Sequence, residues 1–254
     1  MKKLTLLLSI LFCCLLDVNA QEISPNTSDP SLTKRKALGP EAIVKDSSGM
    51  VYPYIAWTKL MASGEYMLKS TGPRTDSTVY FLVKRSRREK DASMARIPKP
   101  EESKQFVSGT SFSPFKEKDM NGEKLDLRKM PGKVLVLNFW FIGCPPCRAE
   151  IPELTEMANK YKNNPDVVFI AVALDESYDL KDFLKDHPLS YHVIDNGRYI
   201  AQRYGVHLYP TNVVIDRDSK VAYSSEGGHR NNIYWMEKTI DAALASAQKT
   251  TAAQ

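Results

Sequence analysis

Residues 134–154 read VLVLNFWFIGCPPCRAEIPEL, and no other stretch limits the possible folds so tightly. The apolar run Val134–Leu137 has the pattern of a strand buried on both faces, as in a parallel sheet. The chain reaches Gly143, and Cys144 then opens a helix-like segment. Two cysteines separated by Pro145 and Pro146 therefore sit where a buried strand turns into a helix. The reactive form of cysteine is the thiolate. A helix N-terminus, with unpaired N–H groups and about half a positive charge, favours that anion. The two prolines suit a first helical turn, where their missing N–H groups would be unpaired anyway. Cys147 lies one turn along, close enough to close a short disulfide. The geometry makes Cys144 the attacking thiol and Cys147, more buried, the resolving one.

Glu150 follows Cys147 by three residues and shares its helix face. A carboxylate at the buried end of such a site can accept the Cys147 proton, and desolvation would raise its pKa. The alternative is a solvated helix carboxylate. Pro152 inside the helix predicts a kink. Other uses of a CxxC pair fit less well. Zinc needs four ligands, and His187, His192, His207 and His229 are scattered without ligand spacing. A structural disulfide closing so short a loop would constrain the unfolded chain little.

The pattern FWxxxCPPCRxExPxL resembles the thioredoxin-like TlpA/ResA group of extracytoplasmic thiol–disulfide oxidoreductases, and the likeness runs from about Phe115 to His229. It implies an α/β, thioredoxin-like fold with a central mixed sheet flanked by helices. The group's active-site glutamate maps onto Glu150. Two positions depart from the pattern. The residue before the first cysteine is usually Trp and here is Gly143, which opens the surface beside Cys144. The buried aspartate of cytosolic thioredoxins falls on Asn138, so that acceptor is missing and Glu150 is the better candidate base. Further on, Tyr204-Gly205-Val206 leads to Tyr209-Pro210-Thr211, and the resemblance implies a cis bond before Pro210, close to Cys144. An extended substrate could pair with the backbone there as an added strand. An ordinary loop proline is the alternative. Gly143, Pro145, Tyr209 and Pro210 are the candidate substrate contacts; the bulk of Tyr209 is expected to narrow the range of partners. His207 and His229 read as surface or structural, and Phe139, Trp140 and Phe141 as core and pocket wall. The resemblance implies no cofactor and no metal.

The rest of the chain divides around this centre. Residues 1–20 read as a secretory signal: Lys2 and Lys3, an apolar stretch Leu4–Leu16, and small residues at Val18-Asn19-Ala20. That stretch is too short for a comfortable membrane span. Cys13 and Cys14 lie inside it, but Phe12 is a poor neighbour for lipidation, so full cleavage is favoured over a lipoprotein anchor. Cleavage leaves Cys144 and Cys147 as the cysteines of a periplasmic, oxidising compartment. It also lowers the formal charge of +5 by one, too little and too evenly spread for nucleic acid. Residues 21–37 read as a disordered linker. Residues 38–84 read as a small β-rich N-terminal module, with strand-like segments Val51–Trp57, Glu65–Leu68 and Ser77–Val83. Residues 85–105 read as a charged linker and 106–249 as the thioredoxin-like domain. In that domain a hairpin turns at Asn121-Gly122. Strands follow at Val167–Leu174 and Tyr191–Ile194, helices at Tyr178–Lys185 and Arg198–Tyr204. A hairpin over Asn212–Asp216 and Lys220–Ser224 and a helix over 231–247 close the chain. Strand–helix–strand order predicts right-handed crossovers and a mainly parallel core.

The expected activity is thiol–disulfide exchange on exported proteins; the resemblance implies the reducing direction, on envelope proteins such as apocytochromes, with a membrane thiol reductase as electron donor. Two rivals remain: a thiol peroxidase, whose cysteine would need a Pro-x-x-x-Thr-x-x-Cys context, and a non-enzymatic metal chaperone or interaction module.

Overall fold

The computed structural model describes residues 38–70, 72 and 78–251. The signal read at 1–20, the linker read at 21–37, and Ser77 at the head of an expected strand lie outside the described residues.

The N-terminal unit comprises β1 (Ile43–Lys45), β2 (Val51–Tyr52), α1 (Tyr54–Ala62), β3 (Tyr66–Ser70) and β4 (Val79–Lys84). Its sheet runs β2-β1-β4-β3, with β1 and β4 parallel. Val51–Trp57 is not one strand, as the aromatic and β-branched residues suggested. Only two of its residues are strand, and a helix begins at Tyr54. Pro53 has no N–H for a ladder and stands extended at the helix N-cap. Trp57, Leu60 and Met61 then fall at helical spacing and pack with Val44, Tyr80 and Leu82 in the unit's core. The charge run read as linker also holds a helix, α2 (Arg87–Met94). Its signal is a capping box: Ser86 Oγ accepts from the Glu89 N–H at 3.3 Å, and Glu89 Oε2 accepts from the Ser86 N–H at 2.9 Å.

The second unit opens with the hairpin β5 (Lys116–Lys118) and β6 (Lys124–Asp126), turned at Gly122 with φ +82°. It continues through β7 (Val134–Trp140), α3 (Pro145–Tyr161), β8 (Val167–Ala173), α4 (Ser177–Asp186), β9 (His192–Ile194) and α5 (Arg198–Arg203). It ends with β10 (Thr211–Ile215), β11 (Val221–Glu226) and α6 (Asn232–Thr251). The sheet order is β11-β10-β7-β8-β9. The core is less parallel than the element order suggested: β7–β8 and β8–β9 are parallel, but β10 is antiparallel to both β7 and β11.

Every residue of β7 is buried, and its alternation divides the core. Val134, Val136 and Trp140 face Ile151, Leu154 and Met157 of α3 and Met236 and Ile240 of α6. Leu135, Leu137 and Phe139 face the opposite layer, with Phe106, Phe112, Phe115, Ile200 and Val206. By this alternation Asn138 falls in the α3-facing row. Pro152 does not end α3, which continues nine residues beyond it to Tyr161. The two units meet through an Arg87–Glu237 ion pair. The Asn231 side-chain amide also donates to Ile97 O at 3.2 Å and Pro98 O at 3.0 Å. Among the described residues no helix is long and apolar enough to cross a membrane.

Candidate active site

The Trp140 end of β7 feeds directly into the cysteine pair. The loop between them is tied down by Asp175, whose carboxylate accepts from the Ile142 N–H at 2.8 Å. Cys144 is the N-cap of α3, and Pro145 and Pro146 occupy its first turn. The first turn carries no acidic residue, so no side chain of that turn offsets the positive end of the helix at Cys144. Cys144 and Cys147 are disulfide-bonded, with Cα atoms 5.3 Å apart, and the Cys147 N–H donates to Cys144 Sγ at 3.3 Å. Cys147 is the more enclosed of the two, though both are buried. Gly143 and Pro145 are exposed beside them.

Glu150 keeps a partly exposed edge, but its carboxyl group reaches inward. Asn138 donates to Oε1 at 2.9 Å, and Asn212 donates to Oε1 at 3.1 Å and Oε2 at 3.3 Å. The Asn138 amide also donates to Asn212 Oδ1 at 2.9 Å. Asn138 and Asn212 are register partners on β7 and β10, so the sheet places both amides under the same point of α3. Asn232, held by Tyr223 and Ser225 through its Oδ1, adds a weaker amide influence. Desolvation raises the Glu150 pKa to about 7, against the opposing pull of these amides, and the neighbouring Glu153 adds to the rise. A carboxyl poised near neutrality, one turn from Cys147 on the same helix, is suited to take up and release a thiol proton.

The Tyr209–Pro210 bond is cis. The Tyr209 ring packs edge-on against Phe141, with centroids 5.4 Å apart, and its hydroxyl donates to Val206 O at 3.2 Å. On another side the loop Gly227–Arg230 crosses the first turn of α3. A Cβ on Gly228 would stand 2.9 Å from Pro146 Cβ, so this close approach needs glycine. Beside Gly143 lies a groove of about 550 Å³ lined by Ile142, Tyr178, Phe183 and the carboxylates of Asp175, Asp179, Asp182 and Asp186.

His207 and His229 are exposed and bond local carbonyls of Gly205 and Glu226. His192 is less isolated than its sequence position suggests. Its Nδ1 lies 3.0 Å from Asp119 Oδ2 and 3.6 Å from Glu123 Oε2, a group of metal-ligating types. Asp119 is otherwise engaged in its own turn, accepting from the Asn121 and Glu123 N–H groups. The sequence reading missed Asn138 and Asn212 as hydrogen-bond partners of Glu150, and the weaker influence of Asn232. A signal for the first existed: Asn138 is the only polar residue in an otherwise apolar strand.

Residues 107–244 match the family model described as Redoxin. The chain is 40% identical over 111 residues to the thiol-disulfide oxidoreductase ResA of Bacillus thuringiensis subsp. konkukian (strain 97-27), covering 43% of this chain and 64% of that protein. It is 34% identical over 123 residues to ResA of Bacillus subtilis (strain 168), covering 46% and 67%. The chain thus spans about two thirds of the length of these curated relatives. Among solved structures, one described as a candidate thiol:disulfide interchange protein DsbE from Chlorobium tepidum aligns with TM-score 0.50 at 30% identity, covering 55% of this chain and 99% of that one. A solution structure from Bacteroides thetaiotaomicron, described as a candidate protein disulfide isomerase, aligns with TM-score 0.51 at 22% identity, covering 57% and 95%. The latter is a likeness of fold alone.

Proposed function

Because this chain belongs to the Redoxin family, we propose that it is a thiol–disulfide oxidoreductase working through Cys144 and Cys147. The observation that carries the reading is the disulfide at the first turn of α3 above a desolvated Glu150 carboxyl with a pKa of about 7. In the reducing direction the Cys144 thiolate attacks one sulfur of a substrate disulfide, and the other sulfur leaves as a thiolate. Cys147 gives its proton to Glu150 and attacks Cys144 Sγ. The second substrate sulfur departs, and the protein is left as the Cys144–Cys147 disulfide, two electrons poorer. A donor dithiol must then restore it.

The reducing direction, an exported location, envelope proteins as substrates and a membrane thiol reductase as donor form the finer part of this proposal. The Pro-Pro dipeptide between the cysteines supports the direction, because no His between the cysteines stabilises the Cys144 thiolate and so favours an oxidant. Gly143 and Pro145 flank Cys144 and Tyr209 packs on Phe141 of the preceding loop; with Pro210 they are proposed to meet the substrate. The test is trapping. Cys147→Ser should leave substrates covalently held on Cys144, and the Cys144→Ser, Cys147→Ser double variant should hold none. Equal capture by both would remove the proposal. Rapid reduction of hydrogen peroxide would favour the peroxidase alternative instead. Stoichiometric copper or zinc binding that needs both cysteines, without disulfide turnover, would favour a metal chaperone.

A further inference from the structure

To accept the Cys147 proton, Glu150 has to be ionised when Cys147 attacks, so the groups that set its charge belong to the site. Glu150 lines a chamber of about 400 Å³, and the opposite wall of that chamber belongs to the N-terminal unit. Ala62–Glu65, at the C-terminal end of α1, and Lys90 and Met94 of α2, which is counted with this unit, form this wall. Pro146, Ala149, Glu150 and Glu153 of α3 form the floor, and Gly228–Arg230 close the end nearest the disulfide. Much of the lining therefore precedes residue 107, where the family match begins.

Titratable groups share this space with Glu150: Glu153 and Glu156 from α3, Glu65, Arg87, Lys90 and Asp91 from the N-terminal unit, His229 and Arg230 from the loop, and Glu237 from α6, while Tyr191 and Tyr223 also feel the Glu150 charge. Several are neutralised in pairs. Arg87 binds Asp91 and Glu237, and Lys90 binds Glu65. Glu153 has no such partner among the described residues. Burial pushes its carboxyl up, Glu65 and Glu156 push the same way, and Lys90 and Arg230 oppose them. Glu153 in turn repels charge on Glu150.

We propose that the N-terminal unit tunes the proton acceptor of the site. It walls the chamber that Glu150 lines, and its Lys90–Glu65 pair sets the charge that Glu153 and Glu150 face. Lys90 and Glu65 are thus positioning residues, acting through Glu153. The inference rests on the reading of Glu150 as proton acceptor.

It is tested in the full oxidised chain by following the side-chain carboxyl ¹³C resonance of Glu150 from pH 5 to 9. A unit charge acting across ~10 Å of partly hydrated space moves a titration by roughly half a pH unit. Lys90→Met leaves Glu65 unpaired and Glu153 opposed by Arg230 alone, and should raise the Glu150 midpoint by about that amount. Glu65→Gln frees Lys90 and should lower it by a similar step, while Lys90→Arg should leave it in place. Loss of docking would hydrate Glu150 and lower the midpoint in both charge-removing variants, so shifts of opposite sign separate the proposal from a merely structural role. The acid limb of the pH–rate profile for disulfide exchange should move with the midpoint. A midpoint unmoved in both variants, or lowered in both, would overturn the inference. Opposite shifts in a protein that exchanges no disulfides would uphold the chamber's control of Glu150 and remove the proposed function instead.

Discussion

Replacing Glu150 with Gln should change how folding stability depends on pH. Burial moves this carboxyl from 4.5 to about 7, so ionising it in the folded protein costs about 3 kcal/mol more than in the unfolded chain, at roughly 1.4 kcal/mol per pH unit. The sign follows from linkage. Between the two pKa values the unfolded chain binds fewer protons than the folded one, so stability falls as pH rises. The contribution of Glu150 is fully present below pH 4.5, erodes from there, and is lost as pH passes about 7. Glutamine fills the same space and still accepts from Asn138 and Asn212, but it does not ionise. Denaturant unfolding of the oxidised wild-type and Glu150→Gln proteins at intervals between pH 4 and 8.5 isolates the effect, since all other groups titrate in both. The variant should lose about 3 kcal/mol less than wild type across that range. Parallel curves would show that Glu150 ionises freely in the folded state, and the case for it as a poised acceptor would fail.

Asn138→Leu removes a donor that favours the charged form of Glu150. The Glu150 midpoint should climb by about one pH unit, as expected for a lost charge-assisted hydrogen bond. An unmoved carboxyl resonance would show the amide to be mere packing. Gly228→Ala drives a Cβ to 2.9 Å from Pro146 Cβ. It should cost about 1–3 kcal/mol in thermal or denaturant unfolding and slow disulfide exchange, by displacing the loop that crosses the first turn of α3. Unchanged stability would mean that the loop shifts freely. Tyr209→Thr removes the ring packed against Phe141 and should broaden the set of proteins trapped by a Cys147→Ser background. Identical trapped sets would show that Tyr209 does not select partners.

Much of the second unit was legible because one period dominated each segment. The unbroken apolar runs at 134–137 and 167–174 read as buried strands, and the Cys-Pro-Pro-Cys turn as the start of a helix. The N-terminal unit was harder, because aromatic residues serve strands and helices equally well. Val51–Trp57 looked like a strand until Pro53 and the spacing of Trp57, Leu60 and Met61 are taken together. In α2 a strong capping box was hidden by surrounding charge. The cysteine pair and Glu150 stand out by spacing along one helix. Their supporting amides do not, because Asn138, Asn212 and Asn232 are brought together by strand register and by the docking of α6, and a linear pattern carries neither. The chamber beside Glu150 was illegible for the same reason: its lining comes from segments spread between Ala62 and Glu237.

The most direct test of the central claim is the reduction potential of the Cys144–Cys147 couple, measured by equilibration with dithiothreitol or glutathione buffers. A disulfide reductant requires a value near that of thioredoxin, about −270 mV. A value near about −120 mV would mark a disulfide donor and contradict the account, and a pair that fails to equilibrate at all would contradict it more completely.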